Sequence, residues 1–374
     1  MFVQNNALLS FPIKDMFIIT GQNKTASFST KSCPGNRIAA AFLFTWIVFC
    51  LAGCTPFQSG NSKPVQRELF AMDTYMTLSA YGENAETALE QCENEIRRLD
   101  KLLNAEDPES EISQINSAGE GVLSEDCSFI VAKALELYEK TEGAFDISIL
   151  PLVRLWGFPE DQLHLPTEEE LKETLALVGS ERISFDPQSG KFAFLKKGMG
   201  IDAGGIGKGY ASERAAGLIR EEGITSALLN LGGNVYAVGT KPDGSRWKIA
   251  IQDPKKDGAY LGILEVEDAC VITSGPYERY FENNGKRYHH ILNPSDGYPA
   301  DSGLLSVSVI SDDATEADGL STALFVMGKD QAYRYWQSHR DEFQMVLMDE
   351  SEEVFVTEGI ADHFRTEYNV QVLS

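Results

Sequence analysis

The chain has 374 residues, which is enough for one large domain or two medium ones with a substantial hydrophobic core. Acidic residues outnumber basic residues 56 to 32, so the formal net charge is −24 and the isoelectric point is near 4.6. A surface of this charge repels nucleic acid and anionic lipid, and it argues against both as partners.

The N-terminal region is typical of an export signal. Lys31 and Arg37 precede an apolar run at residues 39–51, which is too short for a membrane-spanning helix but has the length of a signal-peptide core. We therefore expect residues 1–53 to be a signal peptide and the protein to be exported. The long leader leaves open a start further along the chain, for example at Met16.

The apolar run ends in Leu51-Ala52-Gly53-Cys54, which resembles the lipobox of bacterial lipoproteins. We expect Cys54 to be lipidated, so that a lipid anchor alone holds the protein at the outer face of the cell membrane. The alternative is a cysteine that follows an uncleaved anchor by chance. Residues 54–64 are then a polar tether, and residues 65–374 form the folded domain.

Three further cysteines, Cys92, Cys127 and Cys270, lie within the predicted domain. Their wide separation matches no metal-ligand spacing, and their odd number leaves at least one free thiol in an exported protein. We interpret them as packing residues.

The spacing of apolar residues separates predicted helices from predicted strands. A helical period predicts helices at residues 84–103, 126–141 and 210–222. Alternation predicts strands at residues 68–81, 192–195, 227–239 (interrupted at 232–234), 247–251, 262–266, 344–348 and 354–356. Glycine and proline punctuate residues 143–158, which are expected to be mainly loop. Because helices and strands do not alternate regularly, we predict an α+β fold in one compact unit.

A glycine-rich segment, KGMGIDAGGIGKGY at residues 197–210, follows a predicted strand and opens a predicted helix. Backbone amides in such a loop can approach a phosphate. The Walker A pattern fails because Asp202 and Gly209 occupy positions that require Gly and Ser or Thr. Residues 198–203 match the dinucleotide pattern G-x-G-x-x-A, but without the alternating strands and helices that normally surround it. A carboxylate inside a phosphate-binding loop would repel the phosphate, so Asp202 is better suited to bonding a ribose or heterocycle or to lying near a metal. The alternative is that the segment is only a structural turn.

Two adjacent histidines end a predicted hairpin. Asn283-Asn284-Gly285 is a strong turn signal between strands at 279–282 and 286–292. Alternation sends His289 and His290 to opposite faces, so only one can point into a site. His290 precedes a turn, where a general base is easily exposed to substrate, although a surface histidine is the simpler alternative.

An acidic helix start follows within residues 289–328. Asp312 and Asp313 are both good N-cap residues, and the apolar pattern from Thr315 onward predicts a helix. Residues four apart project from one helix face, so Asp318 and Thr322 would lie side by side and could bind a hard cation such as Mg²⁺. The alternative is that Asp318 complements the helix dipole and Thr322 bonds back to the helix.

Eight ordered segments together carry a resemblance to a known family. They are Met72-Asp73-Thr74, residues 110–116 (SEISQIN), Gly143-Ala144-Phe145-Asp146, residues 201–210 (from Ile201-Asp202 to Lys208-Gly209-Tyr210), Leu231-Gly232-Gly233-Asn234, Thr273-Ser274-Gly275, residues 290–294 and residues 313–328. In their order and spacing they resemble the FAD:protein FMN transferase family of bacterial lipoproteins. The resemblance spans nearly the whole predicted domain.

The resemblance implies a duplicated tunnelling-type (T-fold-like) α+β arrangement with FAD between its halves. It implies FAD contacts at Met72, Ala144, Phe145, Asp146, Asp202, Lys208 and Leu292. It implies Mg²⁺ beside the carbonyl of Gly205 and the side chains of Asp318, Ser321 and Thr322. The chain departs from the family at Glu106, where many members carry an aromatic residue, and stacking on the flavin from that side is therefore not expected.

The implied reaction transfers FMN from FAD to a threonine or serine hydroxyl of an exported acceptor flavoprotein, with release of AMP. His290 would accept the proton of the attacking hydroxyl. The same residues leave two alternatives open. Water could replace the acceptor, which gives a FAD pyrophosphatase, or the protein could be a tethered flavin-binding lipoprotein without turnover.

Overall fold

The computed structural model describes the backbone of Phe17–Ile18 and residues 63–158 and 163–374. Cys54, the apolar run at 39–51 and most of the predicted tether lie outside these residues, so the lipidation site and the boundary at residue 53 stay predictions. Among the helices of the described part of the chain, none is long and apolar enough to cross a membrane.

Strands outnumber helices among the described residues. The strands are β1 (Phe17–Ile18), β2 (Val65–Ala71), β3 (Thr74–Ala80), β4 (Glu120–Val122), β5 (Ile183–Asp186), β6 (Lys191–Phe194), β7 (Ser226–Leu231), β8 (Asn234–Gly239), β9 (Trp247–Gln252), β10 (Tyr260–Val266), β11 (Ala269–Ser274), β12 (Tyr280–Asn283), β13 (Lys286–His289), β14 (Leu304–Ser311), β15 (Gln344–Asp349), β16 (Val354–Thr357), β17 (Phe364–Arg365) and β18 (Val370–Leu373). The helices are α1 (Ala85–Leu103), α2 (Glu111–Ala118), α3 (Glu125–Lys140), α4 (Leu150–Trp156), α5 (Glu168–Leu175), α6 (Gly207–Glu221), α7 (Ala314–Met327), α8 (Lys329–Ser338) and α9 (Glu358–Ala361). The predicted mixed α+β class is confirmed.

A nine-stranded sheet with the order β18-β16-β15-β14-β11-β8-β7-β3-β2 forms the frame. Neighbouring strands are antiparallel except β16 and β18. Smaller sheets have the orders β1-β9-β10-β17, β4-β6-β5 and β12-β13. The alternating side chains of β8 show how the frame is buried, because Tyr236 and Val238 pack on the helical side and Val235 and Ala237 pack toward β9 and β10. Helices α1, α6 and α7 therefore cover one face of the sheet, and the four-stranded sheet covers the other.

The single strand predicted at residues 68–81 is wrong, because β2 and β3 form a hairpin there. Met72 and Asp73 make the turn with φ of 48° and 57°. Methionine rarely adopts a positive φ, and Met-Asp matches no common hairpin-turn pattern, so no turn signal was visible in the sequence. The neighbouring turn needs a glycine for a different reason: a Cβ on Gly232 would lie 2.1 Å from the Thr74 hydroxyl oxygen.

The prediction of loop at residues 143–158 is wrong in its second half. A 3₁₀ turn at Ile147–Ile149 leads into α4, which ends at Gly157. The large apolar side chains that suggested loop packing join a separate cluster with the β12–β13 hairpin, where the Trp156 indole N–H donates to the carbonyl of Gly297 at 2.8 Å. A helix of seven residues is too short for its period to be visible in sequence.

The longer helices agree with prediction to within a few residues. The predictions at 84–103 and 126–141 correspond to α1 and α3, and the predicted helix from Thr315 corresponds to α7. Asp313 caps α7, because its Oδ1 accepts the Glu316 N–H at 2.8 Å. Helix α6 begins at Gly207, three residues before the predicted start. Cys92, Cys127 and Cys270 are buried free thiols, which confirms their role in packing.

Candidate active site

A cleft of about 430 Å³ lies where several chain reversals meet at one end of the large sheet. The β2–β3 turn, the C-terminal end of α1, the segment before α4, the glycine-rich loop, the end of β11 and the first turns of α7 all line it. The volume is within the range of small-molecule sites. Segments far apart in sequence therefore form a single binding cleft.

The cleft brings together nearly all of the predicted site residues. The lining includes Met72, Ala144, Phe145, Asp146, Asp202, Gly205, Lys208, His290, Leu292, Asp318 and Thr322. Ser321 is the exception among those described: it is fully buried, and its hydroxyl bonds to Ser274 Oγ and to the carbonyl of Asp318, both at 2.8 Å. Its side chain supports the wall of the cleft from behind.

Backbone contacts hold the glycine-rich loop against the rest of the domain. The Asn116 amide brackets Ile201, donating to its carbonyl at 2.9 Å and accepting from its N–H at 2.8 Å. The next residue, Asp202, accepts from the Gly204 N–H at 2.8 Å through Oδ1. Burial raises the pKa of Asp202, and the nearby Glu106 raises it further. The loop thus fixes a carboxyl group at the cleft wall and starts α6 directly behind it.

A cluster of oxygen atoms links α6, α7 and β11. Asp318 is 4% exposed and accepts the Gly209 N–H through Oδ2 at 2.7 Å, while no hydrogen bond from the described residues reaches Oδ1. Ser274 Oγ lies 3.4 Å from Thr322 Oγ1. A Cβ built on Gly205 would lie 3.9 Å from the same Thr322 oxygen, so the backbone of Gly205 borders the cluster.

These donors fit a hard cation. One carboxylate, hydroxyl oxygens and a backbone carbonyl are the ligands of Mg²⁺, which takes the rest of its coordination from water and substrate phosphates. The described residues hold no group of three or more His, Cys, Asp or Glu that could bind a metal by themselves. A cation at these donors would take its remaining ligands from water or a substrate.

Asp146 lines the cleft, but its carboxylate is already satisfied. Oδ1 accepts from the Ser148 N–H and hydroxyl at 2.8 and 2.7 Å and from the Ser180 hydroxyl at 2.6 Å, and Oδ2 accepts the Ser180 N–H at 3.3 Å. Burial nevertheless raises its pKa. The side chain anchors the segment that carries Ala144 and Phe145. A contact between Asp146 and FAD remains a prediction.

The two histidines occupy opposite faces as predicted. His289 is buried, with Nε2 3.1 Å from the carbonyl of Ala300. His290 lines the cleft, and its Nδ1 lies 3.2 Å from the carbonyl of Arg279. A carbonyl accepts only, so Nδ1 carries the proton and Nε2 keeps its lone pair. Burial lowers the pKa of His290 to about 3, and the charges of Arg279 and Lys208 also lower it, so the imidazole is neutral at physiological pH.

Several lining residues were not assigned from the sequence. They are Asp73, Asp100, Asn234, Thr273, Ser274, Glu278 and Arg279. Some of them lie in segments that carried the family resemblance, such as Leu231–Asn234 and Thr273–Gly275. The alternation of side chains along a strand did not show which of its two faces borders a ligand. Arg279 Nη2 also lies 3.7 Å from Asp73 Oδ2, so an ion pair joins two of these lining residues.

Glu106 also lines the cleft, and it is paired. Arg154 contacts both of its carboxylate oxygens, at 2.9 and 3.3 Å, and also donates to the carbonyl of Ala105. An ion pair thus occupies the position where an aromatic ring was expected from the family pattern. Both side chains remain substantially exposed, so the pair contributes little to stability.

Curated proteins of similar sequence are transferases. The chain is 33% identical over 315 residues to the FAD:protein FMN transferase of Salmonella typhimurium, covering 80% of this chain and 88% of that protein. It is 32% identical over 307 residues to the protein of the same name from Escherichia coli, covering 79% and 86%. The fold and the cleft are accordingly those of a transferase enzyme.

The family is identified by its sequence model and by solved structures. The ApbE family model matches residues 72–347. The crystal structure of the ApbE protein from Thermotoga maritima superposes with a TM-score of 0.76 at 32% identity, covering 81% of this chain and all of that one. The flavin transferase ApbE from Vibrio cholerae superposes at 0.69 and 26% identity, covering 82% and 97%. The chain belongs to the ApbE family.

Proposed function

We propose that the protein transfers FMN from FAD to a threonine or serine hydroxyl of an acceptor protein and releases AMP. One observation carries the proposal: His290, with an unprotonated Nε2, lines the same cleft as the oxygen cluster of Asp318, Thr322 and Gly205 and the ammonium group of Lys208. A base and a site for a charged diphosphate are the two elements that this transfer requires. The names of the relatives support the substrate.

The proposed step balances as a phosphoryl substitution. The acceptor hydroxyl oxygen forms a bond to the phosphorus of the FMN half of FAD, and the bond from that phosphorus to the bridging oxygen breaks. AMP leaves with the bridging oxygen, and Nε2 of His290 takes the hydroxyl proton. The Arg279 carbonyl holds the proton on Nδ1, which keeps Nε2 available as the acceptor.

We propose Mg²⁺ as the cation, held by Asp318, Thr322 and the carbonyl of Gly205. When bound there, it would neutralise negative charge on the diphosphate and on the departing AMP. Ser274 and the buried Ser321 orient the Thr322 side of this cluster through their mutual hydrogen bond. Lys208 supplies a positive charge at the start of α6.

The charge of the cleft supports a need for a cation. Seven carboxyl side chains line it, against two basic side chains. The acids are Asp73, Asp100, Glu106, Asp146, Asp202, Glu278 and Asp318, and the bases are Lys208 and Arg279. Burial raises the pKa of some of these acids, which lessens the repulsion only partly. A dianionic diphosphate would therefore bind poorly without added positive charge.

Mass spectrometry of an acceptor flavoprotein domain, incubated with the protein, FAD and Mg²⁺, tests the transfer. We expect the acceptor to gain the mass of FMN, to keep the flavin after denaturation and to lose the gain when its threonine or serine is replaced by alanine. Free FMN and AMP with an unmodified acceptor would instead identify a FAD pyrophosphatase. Tight FAD binding with no AMP would identify a binding protein without turnover.

We also propose export and lipid anchoring through Cys54, and the duplicated tunnelling-type arrangement of the fold. The sequence from Leu51 to Cys54 supports the anchor, and growth with labelled palmitate, comparing wild type with Cys54→Ala, tests it. Label on the wild-type protein alone is expected.

Superposition of the two halves of the domain on each other tests the duplication.

A further inference from the structure

Asn234, the first residue of β8, has a buried amide nitrogen without a hydrogen-bond partner among the described residues. The residue is 3% exposed and lines the cleft, and its Nδ2 donates no hydrogen bond to any of the described residues. Buried amide groups are nearly always hydrogen-bonded, because burial without a partner costs free energy. The side chain is therefore a donor that the described protein leaves unused at the cleft wall.

The local fold does not explain an asparagine here. Its neighbour Asn230 already serves the β7–β8 turn, accepting the Gly233 N–H at 3.0 Å. Along β8, Tyr236 and Val238 face the same side as Asn234, and both pack in the hydrophobic core. Asn234 is thus the polar end of an apolar row, at the point where the row reaches the cleft.

The surroundings of Asn234 indicate what it binds. Ile272 of β11 pairs with it, and Ser274, two residues further on the same face of β11, bonds to Ser321 and borders Thr322. The carboxamide is therefore near the oxygen cluster assigned to the diphosphate and its cation. An N–H donor at this place suits an oxygen atom of the nucleotide.

We propose that Asn234 is a further FAD-binding residue, whose carboxamide donates a hydrogen bond to an oxygen of the bound nucleotide. The inference rests on the proposed function for the identity of the ligand. The oxygen belongs to either the FMN half or the AMP half of FAD, and the two sources share the same chemistry.

Titrations of FAD, FMN and AMP in the presence of Mg²⁺ and without acceptor test the proposal. Asn234→Leu keeps the size of the side chain but removes its polar atoms, and Asn234→Asp keeps its shape but removes the donor when ionised. We expect FAD to bind about three- to tenfold more weakly to N234L and more weakly still to N234D, the loss expected for one hydrogen bond. If FMN also binds more weakly to the variants, the bonded oxygen belongs to the FMN half of FAD. If AMP does so instead, the oxygen belongs to the AMP half.

Asn230→Ala is the matched control, because it damages the same turn without touching the cleft. We expect it to lower the melting temperature and to leave FAD affinity unchanged, whereas N234L should lower FAD affinity without lowering the melting temperature of the ligand-free protein. If N234L does not fold, N234D carries the same comparison. FAD affinity equal to wild type in both Asn234 variants would overturn the inference alone, and a wild-type protein that does not bind FAD would overturn the proposed function with it.

Discussion

The backbone N–H of Gly209 donates to Asp318 Oδ2 at 2.7 Å and thereby joins the glycine-rich loop to helix α7. Asp318 lines the cleft, and no hydrogen bond from the described residues reaches its Oδ1. A Cβ on Gly209 would lie 2.2 Å from the carbonyl oxygen of Ala314 and 2.6 Å from Asp318 Cβ. The absence of a side chain at one residue therefore sets the position of the proposed metal ligand.

Gly209→Ala is expected to force α6 away from α7. We expect the free energy of unfolding to fall by about 2–4 kcal/mol, because backbone atoms cannot move aside as a flexible side chain can. Urea denaturation measures the change. Gly217→Ala, in the same helix with no atom within 4 Å of the added Cβ, is the control and should stabilise by about 0.5–1 kcal/mol. Equal effects of the two substitutions would contradict the packing argument.

Asp318→Asn is expected to separate metal binding from folding. The amide oxygen can still accept the Gly209 N–H, so we expect a small change in melting temperature but a loss of transfer of about 100-fold or more, since the anionic ligand is gone. Transfer rates across a Mg²⁺ titration measure it. Asp313→Asn keeps a good N-cap on the same helix and should leave the rate unchanged. Normal transfer by D318N would refute the assignment.

His290→Ala is expected to slow transfer by about 10²–10⁴-fold, the usual contribution of a general base. FAD affinity should change by less than about threefold, because the proposed role concerns the hydroxyl proton and not the nucleotide. Single-turnover transfer and a separate FAD titration distinguish these effects. His164→Ala, at an exposed position beside Glu170, should alter neither quantity. A large loss of FAD affinity in H290A would point to a binding role instead.

The pH dependence of transfer follows from the lowered pKa of His290. Its folded-state pKa is about 3, below the ordinary 6.5, so the imidazole is unprotonated throughout the range from pH 8 to pH 5. We therefore expect the transfer rate, measured at saturating FAD and Mg²⁺, to show no titration step near pH 6.5. The unfolded chain does take up the proton below pH 6.5, so the same lowered pKa destabilises the fold as pH falls. Circular dichroism at each pH separates unfolding from titration, and a midpoint between pH 6 and 7 in folded protein would contradict the assignment.

Glu106→Tyr is expected to strengthen FAD binding by about two- to tenfold, the range expected when an aromatic ring stacks on the flavin. The substitution breaks only an exposed ion pair with Arg154, which costs little. Quenching of flavin fluorescence measures the affinity. Glu109→Tyr, outside the cleft on the same segment, is the control. Unchanged affinity in E106Y would mean that the flavin ring lies elsewhere in the cleft.

Local signals predicted those parts of the site that depend on a few neighbouring residues. Helix α7, with an N-cap at Asp312 or Asp313 and with Asp318 and Thr322 on one side, was predicted because caps and helical periods are local, and the structure places the cap at Asp313. The turn at Asn284 and Gly285 was predicted for the same reason, since both residues adopt positive φ readily. The Met72–Asp73 turn was missed because methionine rarely adopts a positive φ and Met-Asp matches no common turn pattern. Helix α4 was missed because seven residues are too few to show a helical period.

By itself, the sequence determined the α+β class, the main helices, the family and eleven of the residues that line the cleft, because order, spacing and local propensity are written along the chain. Tertiary structure decided what those side chains are free to do. It engaged both oxygens of Asp146 with Ser148 and Ser180, placed Ser321 behind the wall, paired Glu106 with Arg154 and left Nδ2 of Asn234 without a partner among the described residues. Hydrogen-bond partners and burial come from segments distant in sequence, and no local pattern encodes them.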